Sequence, residues 1–181
     1  MDEVVFSFSK TDEINSQNEE FSSNNSLSYN FANNEIPNDI YALAKAFLSI
    51  SSMTNKKLQK LCYYAKAWYL AIYDTNIISE DFQAWVHGAV QPGLYYKYKE
   101  YGFNSIPKIE NTNSIPEEFI SFAKEIYSSY GHLSGDQLEV LNHQEDPWIN
   151  ARKGCEPWEN CNSIISETDM KDFYRRLMKD E

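Results

Sequence analysis

The chain has 181 residues, of which 42% are hydrophobic and 24% charged, a composition that fits one globular domain with an additional segment better than two domains. A net charge of −11 argues against nucleic acid as the main partner, because phosphate binding needs a positive surface. The start of the sequence is acidic, unlike a signal peptide, and no apolar run approaches the roughly 20 residues that cross a bilayer, so we expect a cytoplasmic protein with no membrane partner.

Residues 1–38 form an arm that differs in composition from the rest of the chain. They contain eight asparagines, seven serines and one lysine against seven acidic residues, a net charge of −6. Such a segment buries too little apolar surface to offset its chain entropy, which favours disorder. Apolar residues nevertheless alternate with polar ones in strand-like fashion at six positions: Val4, Phe6, Phe8, Leu27, Tyr29 and Phe31. The arm is therefore either a flexible leader or a segment that orders against the domain or a partner, with Phe6, Phe8, Tyr29 and Phe31 as candidate contacts.

From residue 39 onward the pattern is helical. A first helix follows a capping Asn38 and places Ile40, Leu43, Ala44 and Phe47 on one face. A second helix begins at the N-cap Thr54 and runs through "NKKLQKLCYYAKAWYLAIY" with two apolar stripes. We predict that this is the central helix of the domain.

Lysines cluster at the beginning of that second helix, at Lys56, Lys57 and Lys60. The pattern predicts exposed side chains on the first turns of the helix. As a nucleic-acid patch the cluster is too small for a chain of this negative charge.

The stretch "AWVHGAVQPGLYYKYKEYG" sets glycines and a proline among aromatic residues. Alternation around Trp85 predicts a short strand, and Pro92 suits the first turn of a helix that runs to about Tyr101 and ends at Gly102. We expect Trp85 and Tyr95 to pack inside the domain. Tyr63, Tyr96 and Tyr98 are then candidates for an exposed aromatic face that binds a partner.

Three further helices follow. One carries Pro116 and two acidic residues in its first turn and ends at Gly131. The next opens with Ser134 and Gln137 in capping-box spacing and ends before Pro147. The last begins at Ser166 or Thr168, and its inward face is predicted to carry Met170, Phe173, Tyr174 and Leu177. The sequence thus predicts a mainly α fold, a single compact domain over residues 39–181 with about six helices and one or two short strands.

The segment "HQEDPWINAR" is predicted to be irregular and leaves two alternatives open. In the first, Trp148 packs into the core at a helix end, while Arg152 forms an ion pair with Glu145 or Asp146 at the surface. In the second, Trp148 and Arg152 bind a partner, since tryptophan and arginine are enriched in interface hot spots.

Catalytic and metal-binding patterns are weak. The histidines His87, His132 and His143 lie in separate segments without metal-ligand spacing, and His143 near a helix C-terminus favours a structural cation. Five residues lie between Cys155 and Cys161, and three cysteines without a dense framework suggest reduced thiols. A zinc site of His143, Cys155 and Cys161, or a cysteine–histidine nucleophile, is the remaining enzyme alternative. We expect no catalytic residues, no metal and no cofactor.

Four blocks carry a resemblance to a known family: "MTNKKLQKLCYYAKAWYLA", "FQAWVHGAVQPGLYYKY", "LSGDQLEVLNHQEDPWINAR" and "IISETDMKDFY". In order and spacing they resemble the Panacea domain, the SocA-like family of bacterial and phage-associated proteins, over about Asp39 to Tyr174. Trp85, Gly88, Pro92 and Pro147 belong to these blocks as structural positions. The chain departs from the family at Ala89, where a proline is more usual after the glycine.

The resemblance implies an antitoxin, a protein that binds a co-encoded toxin and blocks it without catalysis. Some members instead act as adaptors that deliver the toxin to a protease, such as an ATP-dependent Clp-type enzyme. The resemblance also implies a shared scaffold in which variable segments, here the arm, determine the toxin. A direct blocker is our first expectation, and the adaptor is the alternative.

Overall fold

The computed structural model describes residues 39–179. Seven α-helices form in this range: α1 Ile40–Ile50, α2 Asn55–Tyr73, α3 Pro92–Tyr98, α4 Glu117–Tyr130, α5 Gly135–Asn142, α6 Asp146–Ala151 and α7 Glu167–Leu177. Four short strands form two antiparallel pairs: β1 Met53–Thr54 with β4 Ser105–Ile106, and β2 Gln83–Trp85 with β3 Gly88–Val90. The prediction of a mainly α fold is confirmed.

Helix α2 is the centre of the molecule, as predicted. It contacts α1, α3, α4, α5, α7 and strand β3. Both of its apolar stripes are covered by these neighbours, and its buried apolar residues include Leu58, Leu61, Cys62, Tyr63, Tyr64, Ala65, Ala67 and Trp68. Burying a large apolar side chain contributes about 1.5–3 kcal/mol, so this helix is the main source of the core's stability.

Side-chain caps fix where the helices begin. The N-cap of α1 is Asp39, whose carboxylate accepts a hydrogen bond from Ala42 N at 2.8 Å. The prediction of Asn38 as the cap is wrong, because the first helical turn begins one residue later. The other predicted N-caps are confirmed: Thr54 for α2, the Ser134–Gln137 capping box for α5, and Ser166 for α7.

Helix α6 was not predicted from the sequence pattern, and it brings the number of helices among residues 39–179 to seven. The segment around Pro147 was predicted to be irregular, but Asp146–Ala151 is helical with Pro147 buried in the first turn. A proline is tolerated there because its missing N–H has no helical acceptor. The same residue that ends one helical pattern therefore opens the next helix.

The last helix, α7, packs along α2. Met170 and Tyr174 are fully buried and Phe173 is partly buried against the core, as predicted. Leu177 is 41% exposed, so its predicted inward position is wrong. It lies in the final turn, next to the exposed Met178.

The arm predicted over residues 1–38 lies outside the described residues. The candidate contacts Phe6, Phe8, Tyr29 and Phe31, and the domain boundary at residue 38, therefore stay predictions. Within residues 39–179, none of the helices is both long and apolar enough to cross a membrane.

Candidate partner-binding groove

The aromatic stretch that begins at Ala84 borders an open groove of about 1080 Å³. The groove lies between the β2–β3 hairpin, helix α3, the first turns of α2 and α5, and the segment at Asn160 and Asn162. Its buried lining residues are Asn55, Gln59 and Lys60, and its aromatic lining residues are Trp85, Tyr95, Tyr96 and Phe103. We call this feature the groove below.

The hairpin at the base of the groove depends on Gly88. Strand β2 pairs with β3 so that Trp85 lies opposite Gly88, across a turn of two residues. Gly88 has a φ of +90°, a backbone conformation that favours glycine. A Cβ at this position would also lie 2.6 Å from Lys60 Nζ and 2.8 Å from Asn142 Oδ1. The hairpin can approach α2 this closely only because residue 88 has no side chain.

Ala89 is held between two buried polar side chains. Its N–H donates to Asn142 Oδ1 at 2.6 Å, and its carbonyl accepts from Lys60 Nζ at 2.9 Å. A proline at this position has no N–H to donate. Ala89 therefore supplies a hydrogen bond that the buried Asn142 uses.

Helix α3 is fixed to α2 through amide side chains. Gln91 N donates to Gln59 Oε1 at 2.8 Å, and Gln59 Nε2 donates back to the Gln91 carbonyl at 3.4 Å. Asn55 Nδ2 donates to the Tyr95 carbonyl at 3.2 Å. With Pro92 in its first turn, α3 is thereby held so that Tyr95 and Tyr96 border the groove.

The sequence pattern predicted that Lys60 is exposed, and this prediction is wrong. The side chain is buried, and burial lowers its pKa to about 7. Glu139 and Glu145 oppose this shift from a distance, but Nζ forms no ion pair with any carboxylate of residues 39–179. Lys60 therefore acts as a hydrogen-bond donor that positions the hairpin.

Glu145 is a second buried titratable group and extends this network into the core. Its Oε2 accepts hydrogen bonds from Asn142 Nδ2 at 3.1 Å and from the Tyr174 hydroxyl at 2.8 Å. Burial raises the pKa of Glu145 to about 7. A chain of hydrogen bonds thus runs from Ala89 through Asn142 and Glu145 to helix α7.

The predicted aromatic face is only partly where the sequence placed it. Tyr96 is 59% exposed and lies at the groove, whereas Tyr63 is fully buried, so its predicted exposure is wrong. Tyr63 packs edge-on against Phe82, with ring centroids 5.6 Å apart, because the segment just before strand β2 covers that side of α2. Tyr98 is half-buried against the core.

Trp85 and Tyr95 form an edge-to-face pair, with ring centroids 5.2 Å apart. Trp85 is partly buried, but Tyr95 is 38% exposed, so its predicted interior position is wrong. Phe103 is fully exposed at the rim of the groove and was missed from the sequence. Phe103 was missed because a single phenylalanine after Gly102 does not belong to a helical or strand-like pattern of hydrophobic residues.

Trp148 and Arg152 lie beneath the hairpin. Trp148 is partly buried, its Nε1 donates to the Trp85 carbonyl at 3.1 Å, and its ring stacks on His143 at 4.1 Å. Burial lowers the pKa of His143, which opposes the cation favoured near a helix C-terminus, and the stacked ring packs against Trp148 in a structural position. Pro147 orients this turn from the start of α6.

Arg152 is buried, and the predicted surface pair with Glu145 or Asp146 is wrong. Its Nη1 donates to the Ala84 carbonyl at 2.8 Å, and its Nη2 donates to the carbonyls of Glu156, Pro157 and Glu159 at 2.7–3.3 Å. With only 7% exposure, Arg152 is also not available as a partner contact. It binds backbone carbonyls instead of carboxylates.

The groups considered for catalysis do not assemble into a centre in the described part of the chain. Cys155 and Cys161 are joined in a disulfide, contrary to the expected reduced thiols, so they do not form the zinc site considered with His143. Among residues 39–179, no three His, Cys, Asp or Glu side chains are grouped to hold a metal ion. His87 Nδ1 lies 3.0 Å from Glu139 Oε1 at the surface, and His132 is exposed, as predicted.

Comparison with known proteins gives one match. The family model described as antitoxin SocA-like, Panacea domain, matches residues 58–149, which include most of α2, the β2–β3 hairpin, and helices α3 to α5. No curated protein and no solved structure is significantly similar to the chain.

Proposed function

The chain belongs to the antitoxin SocA-like, Panacea-domain family, and from this premise we propose that it neutralises a co-encoded toxin by direct binding at the groove. Binding alone, without catalysis, is the mechanism proposed. The toxin loses activity because the domain covers the surface with which it acts.

The observation that carries this proposal is the exposed aromatic lining of the groove. Tyr95, Tyr96 and Phe103 are 38%, 59% and 100% exposed. Exposed aromatic surface around a depression of this size is typical of a protein-binding site. Tyrosine provides a large, rigid contact with a polar tip, and burying it on binding costs little conformational entropy.

The base of the groove is already ordered before a partner arrives. The bonds of Lys60 and Asn142 to the hairpin, and of Gln59 to Gln91 at the start of α3, hold Trp85, Tyr95 and Tyr96 on a fixed backbone. Binding to a preorganised surface avoids the entropy cost of ordering a loop, so more of the contact energy appears as affinity.

Electrostatic attraction has a different role in this proposal. The partly buried Lys56 at the groove is paired, since its Nζ lies 2.7 Å from both Asp136 Oδ1 and Glu139 Oε2. The contact inside the groove is therefore primarily aromatic. The net charge of −11 over the whole chain attracts a basic toxin and accelerates encounter.

Co-expression with the product of the adjacent small open reading frame tests the proposal. Growth arrest by the neighbour alone, relieved by this chain together with a stable complex, is the expected result. Toxin half-life measured in the same cells separates blocking from delivery to a Clp-type protease, because a blocker leaves toxin abundance unchanged or raised. A neighbour that is toxic but forms no complex with this chain contradicts the proposal.

A further inference from the structure

A loop after α6, residues 155–161, is held rigidly although it contains no helix or strand. We call it the Trp158 loop. The buried guanidinium of Arg152 donates to the carbonyls of Glu156, Pro157 and Glu159, and the disulfide joins the two ends of the loop. Hydrogen bonds from a charged donor are stronger than neutral ones, so three of them from one side chain fix the backbone of the loop.

The loop exposes the indole of Trp158. This side chain is 78% exposed, while the arginine beneath it is 7% exposed. Its flanking residues Glu156 and Glu159 are exposed carboxylates. An exposed tryptophan on a rigid backbone is typical of an interface hot spot. The carboxylates on both sides of it favour a partner surface that is basic.

The Trp158 loop is continuous with the groove. Asn160 and Asn162, at the end of the loop, line the groove. Arg152 joins the two features physically, since its other nitrogen donates to the Ala84 carbonyl in strand β2 at 2.8 Å. A partner that covers the groove therefore reaches this loop as part of the same surface. The loop follows residues 58–149, the part that matches the family model.

We propose that Trp158 is the anchor for the toxin, inserting into an apolar pocket on the toxin whose rim carries lysine or arginine residues opposite Glu156 and Glu159. This inference rests on the proposed function and adds to it a residue and the chemistry of the partner. Arg152 is a positioning residue for the anchor, because it holds the loop without touching the partner.

The experiment is calorimetric titration of the toxin with the full-length chain and with full-length Trp158→Ala and Trp158→Phe. Loss of the indole from a hot spot raises Kd by about 30-fold or more, and phenylalanine restores part of the affinity because it still fills an apolar pocket. Leu177→Ala is the matched control: it removes another exposed apolar side chain, at the last turn of α7, and leaves Kd within about twofold.

Charge is tested separately with Glu156→Lys/Glu159→Lys. Reversing both carboxylates lowers the association rate, and the loss is largest at low salt. If the wild-type chain binds the toxin and the Kd of Trp158→Ala lies within twofold of the wild-type value, this inference is overturned. The proposed function then still stands. A wild-type chain that forms no complex with the toxin overturns both.

Discussion

Polar side chains are buried beneath the groove, whereas large aromatic side chains are exposed on the surface around it, which is the reverse of the usual distribution. A lysine, an asparagine and a glutamate are buried beneath the groove: Lys60, Asn142 and Glu145. The surface carries Tyr96, Phe103 and Trp158, which are 59%, 100% and 78% exposed. Buried polar groups are stabilising only when their hydrogen bonds are made, so the interior residues serve to fix geometry. The exposed aromatic residues gain from burial only when a partner covers them, so under the proposed function they serve binding.

This comparison predicts that changes in the interior alter folding stability, whereas changes at the surface alter affinity alone. The largest effect is expected at Gly88. Gly88→Ala places a Cβ 2.6 Å from Lys60 Nζ on a backbone with φ of +90°, and we expect a loss of about 2–4 kcal/mol in the free energy of unfolding. Urea denaturation provides the measurement.

Gly154→Ala is the matched control for that substitution. Gly154 has a φ of +93°, but a Cβ there meets nothing within 4 Å. The control isolates the backbone cost, so the difference between the two variants reports the contact with Lys60 and Asn142. Equal losses in the two variants contradict the account of a hairpin packed tightly against α2.

A smaller loss is expected for Ala89→Pro. Proline removes the N–H that donates to Asn142 Oδ1 at 2.6 Å and leaves that buried oxygen without this donor. The expected cost is about 1–3 kcal/mol by the same denaturation measurement. Asn142→Ala in the proline background separates the two effects: if the hydrogen bond is the cause, proline costs less once Asn142 is absent.

A dependence of the free energy of unfolding on pH is also expected. The folded chain keeps a proton on Glu145 up to about pH 7, whereas the unfolded carboxyl releases it near 4.5, so the free energy of unfolding falls as pH rises between these values. Lys60 acts in the opposite direction between about 7 and 10.5, because there the unfolded amine binds a proton that the folded one lacks. Together the two groups produce a stability minimum near neutral pH.

Glu145→Gln removes the group that lowers the free energy of unfolding as pH rises from about 4.5 to 7. Between pH 5 and 7 Glu145 changes the free energy of unfolding by at most about 1.4 kcal/mol per pH unit, and the variant is expected to flatten the slope there. Lys60→Met is the complementary variant and flattens the slope between pH 7 and 9. Denaturation at five pH values provides the test, and a Glu145→Gln profile parallel to that of the wild type from pH 5 to 7 rejects the assignment.

The parts of the fold that follow from local patterns could be predicted from the sequence. The central helix α2, the Ser134–Gln137 capping box and the proline start of α3 depend on residues within a few positions of each other. Family resemblance added the expected partner class, which composition alone did not identify.

The site was harder to predict because it depends on contacts between distant segments. Lys60 resembled a solvated lysine at a helix start, but the β2–β3 hairpin covers that turn of α2. Arg152 resembled an ion-pairing arginine, yet its partners are carbonyls in β2 and in the Trp158 loop. Hydrophobic periodicity indicates which face of a helix is apolar, but it does not indicate whether another element covers the polar face.

The central claim is that the exposed aromatic lining of the groove binds the toxin. The most direct test is the Kd for the toxin of the triple variant Tyr95→Ala/Tyr96→Ala/Phe103→Ala, measured by calorimetry beside its unfolding midpoint. All three side chains are exposed, so we expect an affinity loss of about 100-fold or more with little change in stability. A triple variant that is folded and binds the toxin with wild-type affinity contradicts the account.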